Sequence, residues 1–120
     1  MMRLAEPLSL GNLELRNRLV FPPVTSNSGT TDGEVTDASL GFYGQRSRDV
    51  GMVIVEATTV RADGRITPYS LGLWSDAQIG GMSRLAHAIT GKAAGPASQR
   101  ATAVGKAITV PGGAHAWTPP

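Results

Sequence analysis

Cysteine is absent from the 120 residues, which excludes a disulfide framework, thiolate catalysis and thiolate metal sites and leaves the redox compartment undetermined. Aromatic residues make up only 5% of the chain, and the eleven basic residues are spread singly, with Arg16/Arg18 and Arg46/Arg48 the only close pairs. Nine acidic residues are mixed among them, leaving a net charge of +2. A nucleic-acid partner needs a concentrated basic stripe interleaved with aromatics, so none is expected. No apolar run approaches the roughly 18 residues of a membrane span, and residues 1–7 lack the apolar core of a signal peptide. The expectation is a soluble cytoplasmic protein with no membrane partner. Histidine is also scarce: His87 falls in a helical stretch, and His115 has no second histidine or carboxylate at ligand spacing, so no metal site is expected.

What the chain does contain is two short apolar runs that end alike. Leu19-Val20-Phe21 stops at Pro22-Pro23 and turns polar at Thr25, while Met52-Val53-Ile54-Val55 is followed by Glu56-Ala57-Thr58-Thr59. Proline is tolerated at the end of a strand but not in its middle, so the first run predicts a short buried strand, and the second repeats its plan. In parallel α/β sheets the carboxyl end is where ligands are held, which turns Thr25 toward a ligand and gives both strands one ligand edge. With 41% hydrophobic residues the chain can build one modest domain. A doubly wound half-sheet fits this length, whereas a closed eight-stranded α/β barrel of about 250 residues does not.

Taken in order, Leu8, Leu10, Leu13 and Leu15 alternate around Gly11-Asn12, which predicts a hairpin. Residues 26–35 are a loop by composition. Thr36 is the expected N-cap of a helix reaching about Arg48, with Asp37 in its first turn. Gly41 and Gly44 weaken that helix by about 1 kcal/mol each relative to alanine, and their small size is expected to bring it close to the sheet. A strand over residues 50–55 and a long connection follow. Ser75 and Gln78 then form a capping box that opens the clearest helix, with Ile79, Met82, Leu85, Ala86 and Ile89 at helical spacing on one side. The order strand, helix, strand, helix predicts parallel strands joined by right-handed crossovers. After Thr90 no third aliphatic run appears; Ala107-Ile108-Thr109-Val110 is short and ends at Pro111-Gly112-Gly113. Residues 91–120 are therefore expected to be an irregular tail behind an ordered part of residues 1–90. Without a third strand, the edge beside the second would be unpaired and would favour self-association.

Most chemistry-bearing side chains also have an ordinary structural reading. Glu56 has no carboxylate or histidine near it in sequence, so a hydrogen-bonding role is expected rather than acid/base work. Gly29 to Gly33 form a glycine-bearing loop, but no phosphate-loop lysine follows, and no nucleotide role is assigned. Tyr43 and Arg46 are expected to anchor the first layer of the fold and Trp74 to pack around the capped helix. Thr25, taken alone, is a turn residue.

Several of these pieces together carry a specific resemblance. Glu6-Pro7-Leu8, Leu10-Gly11-Asn12-Leu13-Glu14-Leu15-Arg16-Asn17-Arg18-Leu19-Val20 and Pro23-Val24-Thr25 occur in one order and spacing. They are followed by Asp32-Gly33, Phe42-Tyr43-Gly44-Gln45-Arg46, Glu56-Ala57-Thr58, Gly64-Arg65 and Leu73-Trp74-Ser75-Asp76-Ala77-Gln78-Ile79. Over residues 5 to 89 the chain resembles the amino terminus of the old yellow enzyme family of FMN-dependent ene-reductases and NADPH dehydrogenases. The resemblance implies a partial (βα)8 TIM barrel: an amino-terminal hairpin plus about two βα units, with the remainder of the barrel absent. It implies FMN as cofactor, NAD(P)H as reductant and a small enone-type substrate in full-length relatives. By the same resemblance Pro23, Val24 and Thr25 contact the flavin ring mainly through backbone groups, with the Thr25 side chain near the pyrimidine or redox edge, and Ala57 supplies a second backbone contact.

Departures from the family pattern are equally informative. Its third strand, with a flavin-bonding glutamine and a following His-Ala-Gly, has no recognisable match; residues 97–102 and 111–120 look like what normally comes after it, and Gln99 is not given the glutamine's role. The substrate-binding His/Asn or His/His pair, the proton-donating tyrosine and the residues that hold the FMN phosphate have no counterpart. Asn27 replaces polar or aromatic residues that some members place near the substrate. No catalytic residue is assigned. The implied activity is hydride transfer from NAD(P)H through FMN to an activated C=C, and the alternative is a truncated, non-catalytic or partner-dependent piece of such an enzyme.

Overall fold

The computed structural model describes residues 3–91 and 102–108. An antiparallel hairpin comes first, β1 (Leu8–Leu10) and β2 (Leu13–Leu15), with Leu10 opposite Leu13. Gly11 takes φ +60 between them, the positive φ at the first central position that a tight hairpin turn of the II′ class requires. Next are β3 (Val20–Phe21), α1 (Asp37–Arg46), β4 (Met52–Thr59), α2 (Ile79–Thr90) and β5 (Thr102–Ile108). Strands β3, β4 and β5 form one parallel sheet in that order, with Val20 beside Met52 and Phe21 beside Val53.

The third strand corrects the sequence expectation. Residues 102–108 are not part of an irregular tail: they pair with β4 along its length, so the edge expected to be open beside the second buried strand is occupied. Thr-Ala-Val-Gly-Lys-Ala-Ile carries a glycine and a lysine in its middle and offers no continuous aliphatic run. Its place comes from backbone ladder bonds to β4, which side-chain hydropathy does not report. Of the short candidate strand near the end of the chain, Ala107 and Ile108 belong to β5, while Thr109 and Val110 lie outside the described residues, as do Gln99, His115 and the residues after them.

Both helices start as their residues dictate. The Thr36 hydroxyl accepts from the Ser39 amide (3.2 Å) and the Ser39 hydroxyl accepts from the Thr36 amide (3.3 Å), a reciprocal cap on α1. At α2 the cap opens a single 3-10 turn, Asp76–Gln78, before the α-helix begins. Gln78 Oε1 accepts from the amides of Trp74 (2.7 Å) and Ser75 (3.1 Å), and its Nε2 donates to the carbonyl of Asp32 (2.8 Å). The helix ends on Gly91 in the left-handed conformation.

One face of the sheet and the two helices enclose the core of Val35, Tyr43, Val53, Val55, Leu71, Leu85 and Ile89. Phe21, Leu40, Phe42, Val50 and Met82 pack against it. Ile79, expected on the buried side of α2, is instead 52% exposed. The helix is only beginning there, and Ile79 borders a surface groove with Val60, Leu73 and Trp74. Gly41 and Gly44 do not mediate close packing either, since a Cβ on each would meet open space. The close approaches are elsewhere. A Cβ on Gly51 would lie 2.3 Å from the Asn17 carbonyl oxygen, and one on Gly81 would lie 3.2 Å from Val35.

Strand β4 does not run straight past β5. Ile54 pairs with Val104 and Ala57 with Lys106, so Val55 and Glu56 together oppose the single residue Gly105, which makes a β-bulge. Burial follows this shift: Val53, Val55, Glu56 and Thr58 are buried, while Met52, Ile54 and Ala57 are half-buried on the other face.

Candidate functional site

The carboxyl ends of parallel β3 and β4 lie at one edge of the sheet, and the four residues singled out by sequence lie there. β3 ends at Phe21 because Pro22 and Pro23 have no N–H to continue the ladder. Pro23, Val24 and Thr25 are exposed, and Ala57 is half-buried on the sheet face away from the helices. Among the described residues, no hydrogen bond engages the Val24 or Thr25 amide or the Thr25 hydroxyl.

What ties the two strand ends together is a buried carboxyl group. Glu56 is fully buried, and Ser26 reaches it twice: the Ser26 hydroxyl donates to Oε1 (2.6 Å) and the Ser26 amide donates to Oε2 (3.2 Å). The Tyr43 hydroxyl donates to Oε1 (3.0 Å) and accepts from the Glu56 amide (2.9 Å). Thr25 and Ala57 are each one residue along the chain from a member of this bonded pair, so the structure brings them to the same place. Glu56 thus has the hydrogen-bonding role expected of it, with donors from a loop and a helix that adjacent sequence does not reveal. Burial pushes the Tyr43 phenol above its ordinary value of 10, and the neighbouring Glu56 carboxyl adds to the shift.

Further hydroxyls extend the network. Ser28 Oγ is 2.6 Å from Ser26 Oγ and 2.9 Å from Ser39 Oγ, and the Thr36 hydroxyl donates to the Ser28 carbonyl (2.6 Å). The segment that follows Thr25 is therefore fastened to the N-cap of α1. Asn27 adopts φ 57, a conformation that asparagine tolerates, and its Oδ1 accepts from the Thr67 hydroxyl (2.5 Å). Ser26 and Ser28 were not singled out by sequence reasoning, since a serine in a polar loop carries no local signal that a carboxyl group thirty residues away is its partner.

The remaining candidates fall into structural roles. Arg46 stacks on Phe42 with its guanidinium carbon 3.8 Å from the ring centroid, and Phe42 meets Phe21 edge to face. Arg65 donates to the carbonyls of Ala62, Thr31 and Pro68 and lies 5.6 Å above the Trp74 ring. Arg61 pairs with Asp63 at 2.7 Å. The two arginines that follow β4 are thus already engaged, Arg61 within its own segment and Arg65 also across to the loop before α1. His87 is exposed on α2. Among the described residues no three metal-ligating side chains converge, and no helix is long and apolar enough to cross a membrane.

The arrangement fits one side of a flat ring: small residues, with amides and a hydroxyl that have no partner among the described residues, at the carboxyl ends of parallel strands. Among the described residues it supplies no phosphate cradle, because Arg61 and Arg65 are already engaged.

Residues 3–99 match the family described as NADH:flavin oxidoreductase / NADH oxidase. The NADPH dehydrogenase of Bacillus cytotoxicus is 40% identical over 84 residues, covering 68% of this chain and 24% of that protein. The NADH:acrylate oxidoreductase of Vibrio harveyi is 40% identical over 80 residues, covering 67% of this chain and 8% of that protein. Among solved structures, the old yellow enzyme from Pichia superposes with a TM-score of 0.76 at 27% identity, covering 89% of this chain and 26% of that one. Morphinone reductase superposes with a TM-score of 0.74 at 32% identity, covering 89% and 26%. The chain spans about a quarter or less of the length of these proteins.

Proposed function

Since the chain belongs to the NADH:flavin oxidoreductase / NADH oxidase family, as an amino-terminal part of its (βα)8 barrel, we propose that Pro23, Val24, Thr25 and Ala57 form the ring side of an FMN site. The observation that carries this is the shelf itself, where exposed Val24 and Thr25, whose amides have no partner among the described residues, stand beside the small Ala57 on the sheet face away from the helices. Backbone donors at the polar edge of a flavin stabilise its electron-rich reduced form, and small side chains let a flat ring approach. In a complete enzyme of this kind FMN would pass hydride from NAD(P)H to an activated C=C of a small enone. This chain's residues would orient the ring and shield one edge from water.

The test is the absorption spectrum of the purified chain after addition of FMN and desalting. A retained, protein-shifted flavin band is expected, with weak affinity, and Ala57→Leu is expected to abolish it by filling the shelf while leaving the melting temperature within about 2 °C. No retained band in the parent chain, or an equal band in Ala57→Leu, overturns the assignment.

A second reading is favoured by one observation: among the described residues no histidine stands at this edge, and of the two tyrosines Tyr43 is buried against Glu56 while Tyr69 lies exposed on the loop that follows β4, its carbonyl bonded to the Gly29 amide. On this reading the described residues form a binding piece rather than a catalytic centre. NADPH oxidation in the presence of a cyclic enone is expected to match the protein-free rate, and turnover by the purified chain would refute this.

A further inference from the structure

We propose that Ser26 and Glu56 are a positioning pair that fixes the spacing between the two flavin-facing segments, residues 23–25 and Ala57. The inference rests on the reading of those segments as the ring side of an FMN site. Its geometry is that of a two-point clamp. Both oxygens of one carboxyl group receive donors from one serine, the hydroxyl to Oε1 (2.6 Å) and the amide to Oε2 (3.2 Å), so Ser26 can neither slide nor rotate without losing a bond.

The other side of the clamp is equally constrained. Glu56 lies in the β-bulge, and its own amide is held by the Tyr43 hydroxyl, which also donates to Oε1. Its side chain is fully buried and its oxygens face three donors, so it touches no ligand directly and acts through Ser26. Position is what remains for it to control. Consecutive Cα atoms are about 3.8 Å apart, so a residue adjacent to each end of the clamp inherits its placement closely. Pro22 and Pro23 limit the chain on the other side of Val24 and Thr25 by fixing φ, leaving Ser26 as the nearest anchor after them.

The test uses the full chain and variants Ser26→Ala, Ser26→Thr, Glu56→Gln and Tyr43→Phe, with backbone 15N order parameters measured first without flavin. In the parent chain Val24 and Thr25 are expected near the rigid value of about 0.85, and in Glu56→Gln below about 0.6, with Val53 and Val55 unchanged. Ser26→Ala, which keeps the amide bond, falls between them, and Ser26→Thr, which keeps the hydroxyl, restores the parent value. Tyr43→Phe touches the same carboxyl from the helix side and should lower global stability without this local pattern. Unchanged order parameters at Val24 and Thr25 in both Ser26→Ala and Glu56→Gln overturn the clamp, as does a loss spread evenly through β4 and α1. FMN titration then separates the two ideas. With the parent chain binding FMN, Glu56→Gln is expected to weaken it on the order of tenfold and move the flavin band toward that of free FMN, and equal affinity and band position would overturn the pair's role at the ring. A parent chain that shows the order-parameter pattern but binds no FMN upholds the clamp and refutes the flavin reading instead.

Discussion

Replacing Tyr43 by phenylalanine isolates the buried polar network from the packing around it. The ring is fully buried and stays in place against Phe42, whose centroid is 5.0 Å away, so the apolar contribution is nearly unchanged. What is lost is one hydroxyl with two bonds: a donor to Glu56 Oε1 and an acceptor for the Glu56 amide. The amide is left buried without a partner, at about 1–3 kcal/mol, and the carboxyl loses one of its three donors, so roughly 2–4 kcal/mol is expected in all. Against a typical total of about 5–15 kcal/mol that is a large fraction, and with a urea slope of about 1–3 kcal/mol per molar it moves the unfolding midpoint down by roughly 1–2 M. The pH dependence gives an independent check. Burial, and then the Glu56 carboxyl, holds the phenol above its ordinary value of 10 in the folded chain. The unfolded state therefore loses its phenolic proton first as the pH rises through about 10, while the folded state keeps it. This contribution is fully present below pH 10 and declines above it, by at most about 1.4 kcal/mol per pH unit. Phenylalanine cannot titrate, so the gap between parent and variant narrows above pH 10. Urea unfolding followed by far-UV circular dichroism at pH 7, 9 and 11 measures both effects. A difference under about 0.5 kcal/mol at pH 7, or a gap that does not shrink at pH 11, would refute the network as described.

Two glycines give opposite signs for the same substitution. Gly41→Ala adds a methyl group to open space within α1 and is expected to stabilise by about 0.5–1 kcal/mol, whereas Gly51→Ala places one 2.3 Å from the Asn17 carbonyl oxygen and is expected to cost about 1–3 kcal/mol; melting temperatures that fail to move apart would contradict this. At the start of α2, Gln78→Ala removes three hydrogen bonds from a buried amide and is expected to cost about 2–4 kcal/mol, while Ser75→Ala removes only the hydroxyl acceptor of the cap, whose bond to the Ala77 amide is long at 3.4 Å, and is expected to cost about 1 kcal/mol. Chemical denaturation that ranked Ser75→Ala as the costlier change would show that the serine, not the glutamine, carries the cap.

Features decided by neighbouring residues were legible in the sequence. Gly11-Asn12 sets the hairpin through turn geometry alone, and the caps at Thr36 and Ser75 need only a partner three residues on. Pro22-Pro23 ends β3 for a reason intrinsic to proline. Strand β5 was not legible because its residue types are weakly apolar and its place depends on a register with residues some fifty positions earlier. The buried stripe of α2 was read correctly at Leu85 and Ile89 but extended one turn too far, to Ile79, because periodicity carries no information about whether anything covers the first turn.

The placement of Ala57 shows what a regular pattern conceals. In an unbroken strand, alternation would put Ala57 on the same face as Val53 and Val55, inside the helix-covered core, and would turn Glu56 outward with Met52 and Ile54. The opposite is observed: Glu56 is buried against Tyr43, and Ala57 shares the open face with Met52 and Ile54. The two-against-one pairing opposite Gly105 reverses the phase between Val55 and Glu56. One irregularity thus does two things together. It brings a carboxyl group inward, where Ser26 and Tyr43 can satisfy it, and it turns a small residue outward beside Thr25. Sequence pattern alone offers the residues for both roles but assigns each to the wrong face, and only the strand pairing of β4 with β5 exchanges them.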